Sequence, residues 1–161
     1  MKHIVFTITV LLLSLSCAYA QSGKSIYQKY SDSEGVSAVY ISPAMFRMIR
    51  RLPELKAGGE DFDLAPIVQS LSGLYIISTE DTALGSKLKG DVDKFISSGD
   101  YELLMEAKDS GETVRMYSTG SPTIVTGFVM LSQDGGETTF ISLDGKISRD
   151  ELERLIASQV H

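Results

Sequence analysis

Two segments of the C-terminal half, MEAKDSGETVRMYS and MLSQDGGETTFISL, constrain the fold most, because each reads as two alternating stretches closed by a short polar turn. Tyr101 to Lys108 and Thr113 to Ser118 flank Asp109-Ser110-Gly111, and Ile124 to Leu131 and Thr138 to Leu143 flank Asp134-Gly135-Gly136. Met105 aligns with Met130, Asp109 with Asp134, Gly111 with Gly136, Glu112 with Glu137 and Thr113 with Thr138, at a constant spacing of 25 residues. The matched residues are mainly turn formers, so shared turn chemistry accounts for the likeness. A duplicated binding element with paired acidic turns is the sharper alternative. Either way, two adjacent hairpins commit this half of the chain to antiparallel strands.

The preceding segments alternate between helical and extended patterns. A short amphipathic helix near Ser25 to Ser33 closes at Gly35 and passes into a strand at Val36 to Ile41. Ser42-Pro43 reads as an N-cap with proline at the first helical position, starting a helix through Arg51. Leu52 to Glu60 reads as a loop, Asp63 caps a short helix over Leu64 to Leu71, and Leu74 to Ser78 form a second strand. Leu84, Leu88, Val92, Phe95 and Ile96 recur with a helical period from Asp81 to Ser98, with Gly99 in the C-cap position. Gly85 and Gly90 weaken this helix, and imply irregularity or close packing in its N-terminal half. A last helix begins at Ser148 with the capping box Ser148-Arg149-Asp150-Glu151. Together these predict a single α+β domain over residues 21–161, with a mixed, largely antiparallel sheet of about six strands and helices mainly on one face.

The first twenty residues, MKHIVFTITVLLLSLSCAYA, have the layout of a bacterial export signal: Lys2, an apolar run from Ile4 to Leu15, and Ala18-Tyr19-Ala20 as a small-x-small site. Cleavage between Ala20 and Gln21 delivers a periplasmic or extracellular protein and discards Cys17, the single cysteine. The alternative is a lipoprotein anchored through Cys17, although Ser14 stands where such sites usually carry Leu. Without a disulfide, stability must come from the core. The balance of 21 Asp and Glu against 15 Lys and Arg, with the acids scattered, disfavours nucleic-acid binding, which needs clustered cations against phosphates. Arg47, Arg50 and Arg51 read as the solvated side and C-terminal end of a helix.

The blocks YQKYSDSEGVSAVYIS, LSGLYIIS, KLKGDVDKFISSG and YELLMEAKDSGETVRMYS, followed by the C-terminal hairpin and helix, resemble domain of unknown function 4252 (DUF4252) in order and spacing. The resemblance covers nearly all of residues 21–161. It implies an exported bacterial protein with a compact α+β domain and carries over no active-site residue.

The reactive groups are few. His3 lies in the signal and His161 is the last residue, so the domain interior has neither imidazole nor thiol. This excludes Ser-His-Asp and Cys-His hydrolysis and zinc sites of the His/Cys type. Ser86-Lys87-Leu88-Lys89 has S-x-x-K spacing but lacks the S-D-N and K-T-G partners of penicillin-binding enzymes, and reads as a solvated helix face. Asp91 and Asp93 stand two apart on a helix and do not face each other, and Glu60-Asp61-Phe62-Asp63 lacks the EF-hand pattern. Tyr27, Tyr30 and Tyr40 are expected at the edge of the core with hydroxyls reaching water. No cofactor is expected and no metal ligand is assigned. Glu102, Glu106, Glu112 and Glu137 are the candidate acidic face, with alternation placing Glu102 and Glu106 on one side of their strand. Two function classes follow. The first is a non-catalytic envelope module binding another envelope protein or a peptide through its sheet or a strand edge. The second is a carboxylate-based hydrolase or lyase, with or without a cation.

Overall fold

The computed structural model describes residues 22–49 and 65–158. In chain order these form α1 Gly23–Tyr30, β1 Val36–Ile41, α2 Pro43–Ile49, α3 Ala65–Ser70, β2 Leu71–Thr79, α4 Thr82–Ser98, β3 Glu102–Asp109, β4 Glu112–Gly120, β5 Ile124–Asp134, β6 Glu137–Ser148 and α5 Arg149–Ser158. The strands make one six-stranded sheet in the order β1-β2-β6-β5-β4-β3, every neighbouring pair antiparallel. The expected α+β domain with a largely antiparallel sheet is therefore what the chain forms. The two hairpins are consecutive in space, so β3 to β6 run as a meander. β2 then pairs with β6 and carries β1 outside it.

Local chemistry fixes the hairpins. Asp109 pairs with Glu112 and Asp134 with Glu137, so each loop is two residues long. Ser110 and Gly111 have φ of 46° and 96°, and Gly135 and Gly136 55° and 110°. Positive φ at both central positions gives the turn whose twist matches the flanking strands, which explains the Ser-Gly and Gly-Gly pairs. The strands outrun their expected ends, β2 starting at Leu71 and β6 continuing through Ser148, because cross-strand bonding carries pairing beyond the alternating core. The last helix accordingly starts at Arg149.

Helix α4 begins where expected: the Asp81 side chain accepts the Leu84 backbone N–H at 2.8 Å. It runs unbroken through both glycines to Gly99. Its apolar stripe of Leu88, Val92, Phe95 and Ile96 joins Ile26 and Tyr30 of α1 over Ile77 of β2, Phe140 of β6, and Val129 and Leu131 of β5. These side chains form the core, each large one contributing roughly 1.5–3 kcal/mol. The two helices come close because small groups meet at their seats. Gly23 lies on Ser142, and a Cβ at Gly85 would stand 2.6 Å from Thr138 Oγ1. Close packing is thus the reason for Gly85, whereas Gly90 has open space above it. The expected Asp63 cap and the Leu52 to Glu60 loop lie outside the described residues.

Candidate functional site

Period-two alternation in a sheet covered on one side normally sets apolar residues inward and polar ones outward. This sheet departs from that pattern. On the helix-covered face Thr79, Thr138 and Ser142 are buried, while their chain neighbours Ile141 and Leu143 turn to the opposite face. Register then assembles a row: Val39 opposite Ile76, Ile76 opposite Ile141, Ile141 opposite Met130, Met130 opposite Met116, and Met116 opposite Met105. It crosses all six strands and is wholly apolar. A second row beside it joins Ile41, Leu74, Leu143 and Phe128. The row's inner members are half-buried, and its ends Val39 and Met105 are 44% and 43% exposed. Strands apolar on both faces are characteristic of sheets covered on both. The next row is polar on four strands, at Ser37, Ser78, Thr139 and Ser132, and bounds the patch there, before continuing through Val114 of β4 and Ala107 of β3.

Strand β3 is the other unusual surface. It forms an outer edge of the sheet, and each of its residues is exposed. The four glutamates singled out from sequence do not converge: Glu102 and Glu106 lie on β3, Glu112 opens β4, and Glu137 opens β6, three strands away from β3. Glu106 pairs with Arg115 at 2.6 Å and Lys108 at 2.7 Å, and these bonds lower its pKa. A register shift between Leu103 and Met105 sets Glu102 opposite Ser118 and Glu106 opposite Arg115. Ser118 and Arg115 are an odd number of residues apart, so the shift puts Glu102 and Glu106 on opposite faces, where uninterrupted alternation would have put them on one. Glu112 lies beside Asp134, whose hydrogen bond and charge raise its pKa. Glu137 accepts the Ser78 hydroxyl.

The remaining polar groups are mostly engaged locally. Ser86 donates to the Thr82 carbonyl at 2.8 Å and Lys89 pairs with Asp93 at 2.5 Å, so the S-x-x-K residues serve the helix separately. Asp91 accepts Lys29 Nζ at 2.5 Å and the Tyr30 hydroxyl at 2.6 Å, in a cleft of 330 Å³ also lined by Lys87 and Lys94. Burial would raise its pKa, but those two bonds prevail and lower it. Tyr30 is therefore buried and bonded to a carboxylate, where water had been expected. Tyr40 is 44% exposed. Tyr27, Tyr40 and Tyr75, distant in sequence, meet with ring centroids 5.1 to 5.9 Å apart.

Sequence reasoning passed over Asp144 of β6. It is half-buried, and burial raises its pKa. Its charge in turn acts on Tyr75 and Tyr101, whose hydroxyls burial chiefly pushes up to about 12. Its environment comes from its position opposite Gly127, where β5 leaves room for Tyr101, and that register carries no signal in the sequence.

Two acidic clefts of 360 and 380 Å³ share Glu80 and Glu137, one adding Asp81 and the other Asp134. Among the described residues no three His, Cys, Asp or Glu side chains gather to hold a metal ion, and no helix is long and apolar enough to cross a membrane. Cys17, Ala20, Gln21, Glu60, Asp61 and Asp63 lie outside the described residues. A family model described as a domain of unknown function, DUF4252, matches residues 30–155. No curated protein and no solved structure matches the chain.

Proposed function

The chain belongs to DUF4252, a family defined without an assigned function, and on its own residues we propose that it is a non-catalytic envelope module binding a protein partner on the face of its sheet away from the core. The observation that carries this reading is the unbroken apolar row from Val39 to Met105 on the face away from the core. Five interstrand steps of about 4.8 Å give it a length of about 24 Å. A partner helix of about 16 residues spans that distance, and an amphipathic one has the apolar stripe to match. The methionines Met130, Met116 and Met105 suit such a surface, because the unbranched thioether adapts to the shape laid on it.

The test is a photoreactive side chain at Met116, with and without Met130→Asp in the same protein, irradiated in cells that export it. One defined cross-linked protein, cross-linked through a helix and lost on Met130→Asp while the fold stays intact, is the expected result. Cross-linking indifferent to that charge would overturn the reading.

A second reading, acid–base work by a carboxylate, is favoured by Asp144, the half-buried acid between two tyrosines of raised pKa. It requires turnover of a glycan or peptide that Asp144→Asn abolishes.

A further inference from the structure

We infer that β3 joins two copies of this chain edge to edge, antiparallel about a two-fold axis at Ala107, making one sheet of twice six strands. The inference rests on the β3 edge, which shares Met105 alone with the apolar row, and does not depend on the partner proposed for that face.

Backbone geometry supplies the first argument. In a two-residue hairpin the closing residues exchange both of their backbone hydrogen bonds, so Asp109 points its N–H and C=O toward Glu112. Alternation then turns the N–H and C=O groups of Lys108 and Glu106 away from β4, toward the open edge. A second β3 centred on Ala107 sets Glu106 opposite Lys108 of the second copy, and Lys108 opposite its Glu106. Both are outward-pointing positions. Four ladder hydrogen bonds can therefore form without disturbing any bond to β4.

Charge supplies the second argument. The triplet Glu106-Ala107-Lys108 is self-complementary when one strand is reversed, so each side chain meets the opposite sign across the axis. Ala107, on the axis itself, is small enough for the two backbones to meet. Within one copy Glu106 bonds both Arg115 at 2.6 Å and Lys108 at 2.7 Å, and Lys108, 61% exposed at its side chain, extends its contact to Glu106 of the second copy when the strands pair.

Apolar exposure supplies the third. Leu103, Leu104 and Met105 are 52%, 50% and 43% exposed on this one strand. In the proposed register Leu103 and Leu104 come beside the Ser110-Gly111 turn of the second copy, and Met105 beside its Asp109. A long exposed apolar edge is otherwise an aggregation hazard, and closed two-fold pairing removes it.

Sedimentation of the purified protein over a concentration series tests this. The expected result is a monomer–dimer equilibrium that tightens as salt is lowered. Lys108→Glu and Glu106→Lys should each weaken dimerisation about tenfold or more, since two attractions become two repulsions. An equimolar mixture of the two variants should restore the dimer. One variant then carries glutamate at both positions and the other lysine at both, so opposite charges meet again on each side of the axis. A protein monomeric at every concentration, an open series of larger oligomers, or a dimer indifferent to both charges would overturn the inference. Hydrogen exchange on the unaltered protein gives a reading that needs no variant. The Glu106 and Lys108 amides should gain protection as concentration rises, and unchanged exchange there would also overturn it. A monomer that still cross-links through Met116 would refute the dimer and leave the partner-binding reading standing.

Discussion

Asp144 and Asp91 show how place in the sheet divides two identical side chains. Asp144 loses water on burial and its pKa rises above the ordinary 3.8. A carboxyl raised in the folded state holds its proton more tightly there than in the unfolded chain. Its stabilising contribution is thus complete below about pH 3.8 and is lost as pH climbs through the folded value. Asp144→Asn keeps the shape and removes the charge. Urea denaturation across a pH series should therefore find the variant more stable than wild type near neutrality, with that advantage vanishing in acid. An advantage equal at both ends would show that Asp144 is not desolvated. Asp91 runs the other way. Burial opposes its charge, but Lys29 and Tyr30 outweigh burial, so its contribution is present above pH 3.8 and fades as pH falls through the lowered value. Neither environment was legible in sequence, because Lys29 and Asp91 are 62 positions apart and only packing brings them together.

At the scale of elements, α4 depends on two glycines of opposite meaning. Gly85 faces the sheet, and a Cβ there would meet Thr138 Oγ1 at 2.6 Å and Thr138 Cβ at 3.1 Å. Gly85→Ala should cost about 1–3 kcal/mol, the usual penalty of overpacking a seat that a β-branched neighbour cannot vacate. Gly90→Ala meets nothing within 4 Å and should stabilise by up to about 1 kcal/mol through helix propensity. Chemical denaturation of both variants checks the pair, and equal effects would show that α4 is not seated on Thr138. The helix itself was legible to within a residue, because the Asp81 cap, the apolar period and Gly99 all act within a few positions along the chain. The hairpins were legible for the same reason. The register shift in β3 was not, since nothing in ELLMEAKD marks which residue the opposite strand leaves unpaired.

For the whole molecule, the N-terminal twenty residues carry the proposal of export, and intact-mass measurement of the exported protein decides it. A chain starting at Gln21 is the expected product, whereas a diacylglycerol on Cys17 would establish a lipid-anchored protein, held to the membrane by its acyl chains. Sequence by itself determined the class of the domain, the existence and place of its turns, the long helix, and the shortage of imidazole and thiol in the domain. Each is set by neighbours in the chain or by composition alone. Tertiary structure decided what sits beside what: β2 between β1 and β6, Asp144 between two tyrosines, and an apolar row assembled from one residue of each strand. Alternation tells which residues share a face within a strand, but the register between strands comes from backbone bonding across distant segments. A surface composed strand by strand exists only once that register is made.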